Sequence, residues 1–286
     1  MKIILLLLLF MLLAACTNNN VTQDSEPETI VSIGPSNTEI LIELGFANNL
    51  IGVDEWSVGI PGLPDDLELF DMLHPDSERL LLLNPDIIIT TDMAGEGGSD
   101  PLALVELAGT TVIRISSGDS VEAIQQDILL IADTVNARAA GERIVNSMNS
   151  EIERIKNISE SITERRTVYF EIEPPPFIFS IGSNTFINDL IEIAGGINIF
   201  ADFDAWISVA DEQVLSRNPD VIITNASWAE DPTGNIINRT GWHIISAVSN
   251  NRVSLIDADA SSQPTHNIIQ ALIEIAYAIY PEYFGQ

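Results

Sequence analysis

Six side chains carry the groups best suited to gripping a bulky small molecule: Trp56, Met72, Trp206, Trp228, Gln263 and His266. An indole ring offers a large contact area at low entropy cost and one N–H donor for orientation. Trp56 and Trp206 stand next to acidic residues, in Asp54-Glu55-Trp56 and Asp204-Ala205-Trp206. The stretches that hold these six and their neighbours are 54–60, 70–77, 92–100, 173–186, 202–208, 225–232 and 257–266, and none contains arginine or lysine. An anionic ligand needs cations to offset its charge in a partly dry cleft, so a bulky ligand of neutral or positive charge suits such walls.

Other chemistry finds less support. The histidines, at 74, 243 and 266, are too scattered for a helical metal motif. A bare metal ion held by Asp204, Asp257 and Asp259 is a further alternative. No catalytic residue stands out. There is no G-x-S-x-G, and Gly95-Glu96-Gly97-Gly98 is neither a P-loop nor a G-x-G-x-x-G. A lipid-anchored enzyme is therefore the weakest alternative, and no resident cofactor is implied.

The elements that position these residues come in two similar sets. Glu78–Thr90, ERLLLLNPDIIIT, aligns without a gap on Glu212–Thr224, EQVLSRNPDVIIT. Ser32–Gly45 and Ser180–Gly195 form a second pair, SIGPSNTEILIELG and SIGSNTFINDLIEIAG. Each reads as a strand, a turn and a helix, with Asn-Pro-Asp as breaker. Strands are predicted at 29–33, 50–53, 86–90, 111–115, 167–172, 220–224 and 252–256. Helices are predicted from the Asp119/Glu122 pair to 135, over 137–162 and over 265–280. Ser36 and Glu39 have capping-box spacing.

The fold class is α/β: two Rossmann-like lobes with mostly parallel sheets joined by one long α-helix. The lobes are expected at 29–136 and 164–286, with the connecting helix at 137–163. Its apolar stripe is Ile144, Met148, Ile152, Ile155 and Ile158. Ligands of open α/β sheets bind beyond the carboxyl ends of the strands, which puts the aromatic stretches in the gap between the lobes.

The N-terminus reads as an export signal. Met1-Lys2 is followed by an apolar run, Ile3–Leu13, too short to span a bilayer. Leu13-Ala14-Ala15-Cys16 looks like a bacterial lipobox, and Cys16 is the one cysteine of the chain. A signal peptide at 1–15, a lipidated Cys16 and a flexible tether at 16–28 are expected. Such a protein is exported and lipid-anchored to the bacterial cell membrane or a periplasm-facing membrane surface, touching lipid through the anchor only. The chain has 12 basic and 42 acidic residues, a net charge of −30. That surface repels nucleic acid, and a monomer is expected.

The stretches IVSIGPSNTEILIELG, IGVDEWS, ERLLLLNPDIII, LIEIAGGINIF, WISVADEQVLSRNPDVII and YPEYF, in this order, resemble one family. It is that of ABC-importer substrate-binding proteins for cobalamin, ferric siderophores and haem. The resemblance covers about Thr29 to Phe284. It implies that the ligand is a bulky metal chelate delivered to an ABC permease dimer with ATPase subunits: for walls without cations, cobalamin or another corrinoid, or a ferric hydroxamate of low charge, and not a ferric triscatecholate, which is expected to bind poorly. Haem is an alternative, with Met72 and His266 as axial ligands and His74 in reach. The resemblance places Trp56 and Trp206 at cleft positions and Glu78 and Glu212 where the family docks on permease arginines. The residues themselves leave a second reading open, since a carboxylate in a helix's first turn is favoured by the dipole anyway. Asp76 and Ser208 are the expected caps of those two helices.

Overall fold

The computed structural model describes residues 27–95, 98, 100–116 and 118–285. The signal segment, Cys16 and the tether through residue 26 lie outside the described residues. In the first half the elements are β1 (Ile30–Ser32), α1 (Pro35–Glu43), β2 (Leu50–Asp54), β3 (Glu68–Phe70), α2 (Ser77–Leu83), β4 (Ile87–Thr91), α3 (Ala103–Ala108) and β5 (Thr111–Ile115). The strands form a wholly parallel sheet in the order β3-β2-β1-β4-β5. Next come α4 (Val121–Thr134) and α5 (Arg138–Ser159).

The second half contains β6 (Thr167–Glu173), β7 (Phe179–Ile181), α6 (Phe186–Ile193), β8 (Ile197–Asn198), β9 (Trp206–Ser208), α7 (Asp211–Arg217), β10 (Val221–Thr224), α8 (Pro232–Ile237), α9 (Ser246–Ser249), β11 (Val253–Leu255), α10 (Ala258–Ser262), α11 (Ile268–Ile279) and α12 (Pro281–Phe284). Its sheet runs β11-β10-β6-β7-β9, with β8 beside β6. The part built from β6, β8, β10 and β11 is parallel, whereas β7 and β9 form an antiparallel arm.

The sequence repeat has a physical basis. Asn84 and Asn218 end α2 and α7 in the left-handed conformation, with φ of 49° and 45°. Asparagine tolerates that region better than most residues. Two positions on, an aspartate secures the first strand of its sheet. Asp86 Oδ2 accepts from the Thr29 amide and hydroxyl at 3.0 and 3.1 Å. Asp220 Oδ2 accepts from the same two groups of Thr167 at 3.0 and 2.8 Å. One device thus sets the strand register in both lobes.

Alternation along the strands divides the core. Ile30, Ile89, Val168 and Ile223 join one apolar cluster with Ile128 and Ile131 of α4, Met148 and Ile155 of α5, and Leu272 and Ile275 of α11. This cluster runs continuously from one lobe into the other. The opposite sheet faces have clusters of their own, around Ile33, Phe70 and Leu80 and around Tyr169, Phe200 and Trp242. At a rise of about 1.5 Å per residue, α5 is a strut of about 33 Å.

Local caps differ from the sequence expectation. Ser120, not Asp119, caps α4 through the Ala123 amide at 3.1 Å. Helix α1 starts with Pro35 behind Gly34 and has no side-chain cap, so Glu39 is free to reach elsewhere. Asp76 caps α2, but Ala210 rather than Ser208 begins α7, its amide donating to Gln213 Oε1 at 2.8 Å. Among the described residues no helix is long and apolar enough to cross a membrane.

Candidate functional site

The ends of the first-lobe strands and the facing loops of the second lobe enclose a cavity of about 380 Å³. Trp56, Met72, Thr91, Met93, Ser116 and Asp119 wall it on one side, and Phe186, Trp206, Ser262 and Gln263 on the other. Pro35, Asn37 and Ile40 of α1 and Asp127 of α4 complete it.

Trp56 is positioned by a buried carboxylate. Asp54 ends β2 and is fully buried. Its Oδ1 accepts from the Trp56 amide at 2.9 Å, and its Oδ2 from the Gly34 amide at 2.7 Å and the Ser57 hydroxyl at 2.5 Å. The 3₁₀ turn carrying Trp56 is therefore tied to the loop between β1 and α1. The indole itself is 75% exposed, open to a ligand. Trp206 opens the antiparallel arm, paired with Ile181, and lies edge-on to Phe186 at 6.3 Å. Each lobe thus presents one large ring to the gap.

Of the six residues singled out in the sequence, Trp56, Met72, Trp206 and Gln263 wall this cavity. Trp228 and His266 do not. Trp228 sits in the turn after β10 and is 65% exposed. His266 is carried to the back of the cleft, because the chain turns between Pro264 and Asn267. There it joins Glu43, Ile144, Met148 and Arg154 in a separate depression beside α5. Its Nε2 is 3.7 Å from Glu43 Oε2. Burial pushes its pKa down, against the pull of Glu43 and Glu39. His266 therefore lies outside the cavity, whereas Met72 is in its walls.

Phe70 is core rather than cleft, while Phe177 and Phe179 are exposed away from the cavity. Among the described residues no cluster of three or more His, Cys, Asp or Glu is arranged for a metal ion. Asp257, one of the three carboxylates considered for that role, caps α10 through the Ala260 amide at 2.8 Å.

Sequence reasoning passed over Asn37 and Asp127, and it had Met93 and Phe186 within cleft stretches without singling them out. Asp127 had left a signal. Ile124, Ile128 and Ile131 form the buried stripe of α4, and Asp127 is the charged residue within it. Burial, and then the charge of Asp92, raise its pKa to about 6. Among the described residues no arginine or lysine is in the cavity walls. Nearby Arg114 is engaged by Asp100 and Glu106, each at 2.7 Å.

The back of the cleft is clasped. Glu39 Oε2 accepts from Thr265 Oγ1 at 3.0 Å and Asn267 Nδ2 at 3.1 Å, from one lobe to the other. The Val121 amide at the start of α4 donates to Asp189 Oδ2 of α6 at 3.0 Å. Glu78 and Glu212 occupy the same position, second in α2 and second in α7. Both are exposed, and neither pairs with a cation among the described residues.

Comparison with known proteins agrees with this architecture. An ABC transporter substrate-binding lipoprotein of Bacillus subtilis is 28% identical over 269 residues, 93% of this chain and 84% of its own. A vitamin B12-binding protein of Vibrio cholerae is 28% identical over 255 residues, 87% of each chain. The solved structure of a periplasmic haem-binding protein from Roseiflexus superposes with a TM-score of 0.75 at 25% identity, covering 89% of this chain and 98% of its own. Residues 30–260 match the profile described as periplasmic binding protein, and the chain belongs to that family.

Proposed function

We propose that the protein is the capture component of an ABC importer and that its ligand is a bulky metal chelate of neutral or positive charge, a corrinoid of the cobalamin type first. One observation carries the reading: Trp56 and Trp206 face one cavity from opposite lobes, and among the described residues no arginine or lysine lies in its walls. Opposed indoles grip a large flat ligand by area, and walls without cations disfavour an anionic one. The relatives named for vitamin B12 support the corrinoid, and the family consists of binding proteins rather than enzymes.

Tryptophan fluorescence during titration with cyanocobalamin tests this. The expected result is saturable one-to-one quenching with Kd below about 1 µM, and a ferric triscatecholate binding at least about a hundredfold more weakly. Nanomolar affinity for the triscatecholate overturns the charge argument. Haem is the second reading, favoured by the thioethers of Met72 and Met93 in the walls. It predicts a Soret band on adding haemin, lost in Met72→Ala.

We place the protein on the outer face of the cell membrane or facing the periplasm, tethered by a lipid on Cys16. Replacement by serine is then expected to release it into the soluble fraction. Glu78 and Glu212 are the permease contacts in this reading.

A further inference from the structure

Two buried polar atoms in the cavity walls lack a partner among the described residues, Asn37 Oδ1 and Thr91 Oγ1. Asn37 is fully buried, and its Nδ2 already donates to the Ile33 carbonyl at 3.2 Å. That bond uses one of the two Nδ2 hydrogens, and Oδ1 is the acceptor without a donor. A buried acceptor without a donor is costly, and since both residues wall the cavity, its contents are the place to find one. Asp127 adds a half-buried carboxylate to the same walls.

We propose that the wall formed by Asn37, Thr91 and Asp127 receives N–H donors of the ligand, a protonated amine or primary amides, and rejects a ligand carrying a carboxylate at that point. The inference rests on the cleft binding a chelate and specifies the chemistry of the chelate's buried edge. Asn37 Oδ1 and an ionised Asp127 are acceptors that cannot donate, so they match ammonium and amide hydrogens and disfavour a carboxylate, whereas the Thr91 hydroxyl can accept or donate and does not discriminate.

The charges around Asp127 agree. Asp92 approaches from the end of β4 and Asp119 from the turn before α4. The second lobe faces the cavity with the uncharged Phe186, Trp206, Ser262, Gln263 and Pro264. Its Asp189, on α6, accepts from the first amide of α4 and is another carboxylate with a pKa raised by burial. Arg114 is spent on Asp100 and Glu106. Every charge left to face the ligand here is negative. With its pKa raised to about 6 by burial and by Asp92, Asp127 is a carboxylate at neutral pH and an acid below that point.

The test uses two matched pairs and calorimetry on the mature protein. Ferrioxamine B carries one free ammonium, and its N-acetyl derivative does not. Cyanocobalamin carries peripheral amides, and its monocarboxylic acids replace one amide by a carboxylate. For whichever chelate binds, the donor-bearing member is expected to bind on the order of tenfold more tightly at neutral pH. Asp127→Asn brings the ratio to within about twofold, and so does lowering the wild type to about pH 5, an arm that requires no variant. Cobalamin bound without such discrimination overturns the acceptor wall and leaves the corrinoid reading standing. Ferrioxamine B bound with discrimination, and cobalamin not bound, does the reverse. Binding of neither removes both.

Discussion

At the scale of single residues, the groups that shape the site are those whose burial and chemistry disagree. Asp127 is one. An aspartate with a pKa near 3.9 in the unfolded chain and about 6 in the fold binds protons more tightly when folded. Its contribution to stability is thus full below about pH 4 and is lost as pH rises through about 6. Asp127→Asn should stabilise the protein at neutral pH by about 1 kcal/mol, allowing for solvent screening of a half-exposed group, and by nothing near pH 4. Urea unfolding at the two pH values measures this, and an equal gain at both contradicts it. The opposite case is the pair Glu171–Arg239, with side chains 1% and 8% exposed and a two-pronged contact at 2.8 and 2.9 Å. Tyr169 also donates to Glu171 at 3.1 Å, and Arg239 lies over the Trp242 ring. Arg239→Met strands a buried carboxylate and should cost about 3–5 kcal/mol; adding Glu171→Leu should recover most of it. On the ligand side, Trp206→Ala removes one jaw and should weaken binding about tenfold to a hundredfold with the unfolding midpoint nearly unchanged.

At the scale of elements, α4 and α5 form the hinge side of the cleft, and their closeness depends on Gly141. A Cβ there would lie 2.6 Å from the Ala132 Cβ and 3.5 Å from the Ile128 carbonyl. Helix propensity alone favours alanine by about 1 kcal/mol, whereas overpacking costs about 1–3 kcal/mol, so Gly141→Ala should destabilise on balance. Combining it with Ala132→Gly removes the clash and should restore stability; a stable single mutant would show that the helices can part. The elements also show what a sequence can reveal. The strands with β-branched runs, 86–90 and 220–224 above all, and the helix at 137–162 were legible because their periodicity lasts long enough to register. β3, β7 and β9 have three residues each, and the antiparallel arm is defined by pairing between distant segments, which no local pattern records. The site was legible in the same proportion. Trp56 follows the end of β2, so topology placed it, whereas Trp206 begins β9 and its place came from the family resemblance. His266 is two residues from Pro264, yet one faces the spine and the other the cleft, a turn the composition does not encode.

At the scale of the whole molecule, a continuous core and the Glu39 clasp at the back of the cleft bind the lobes into one body. A rigid body with one charged point on each lobe can dock in a single orientation, and this gives Glu78 and Glu212 their expected role. With a net charge of −30, overall attraction to a basic partner cannot depend on two carboxylates, so their effect should be geometric. Glu78→Arg and Glu212→Arg each replace an attraction by a repulsion at a fixed point, and each should cut ligand uptake by cells about tenfold or more, the pair together nearly completely. Neither residue walls the cavity, so affinity for the ligand in solution should not change. Glu153→Arg, on the exposed face of α5, shifts the net charge equally and should leave uptake intact. If all three substitutions lowered uptake alike, the surface would act by bulk charge and the docking points would have no special standing. If Glu78→Arg weakened ligand binding itself, the separation between cleft and docking face would fail.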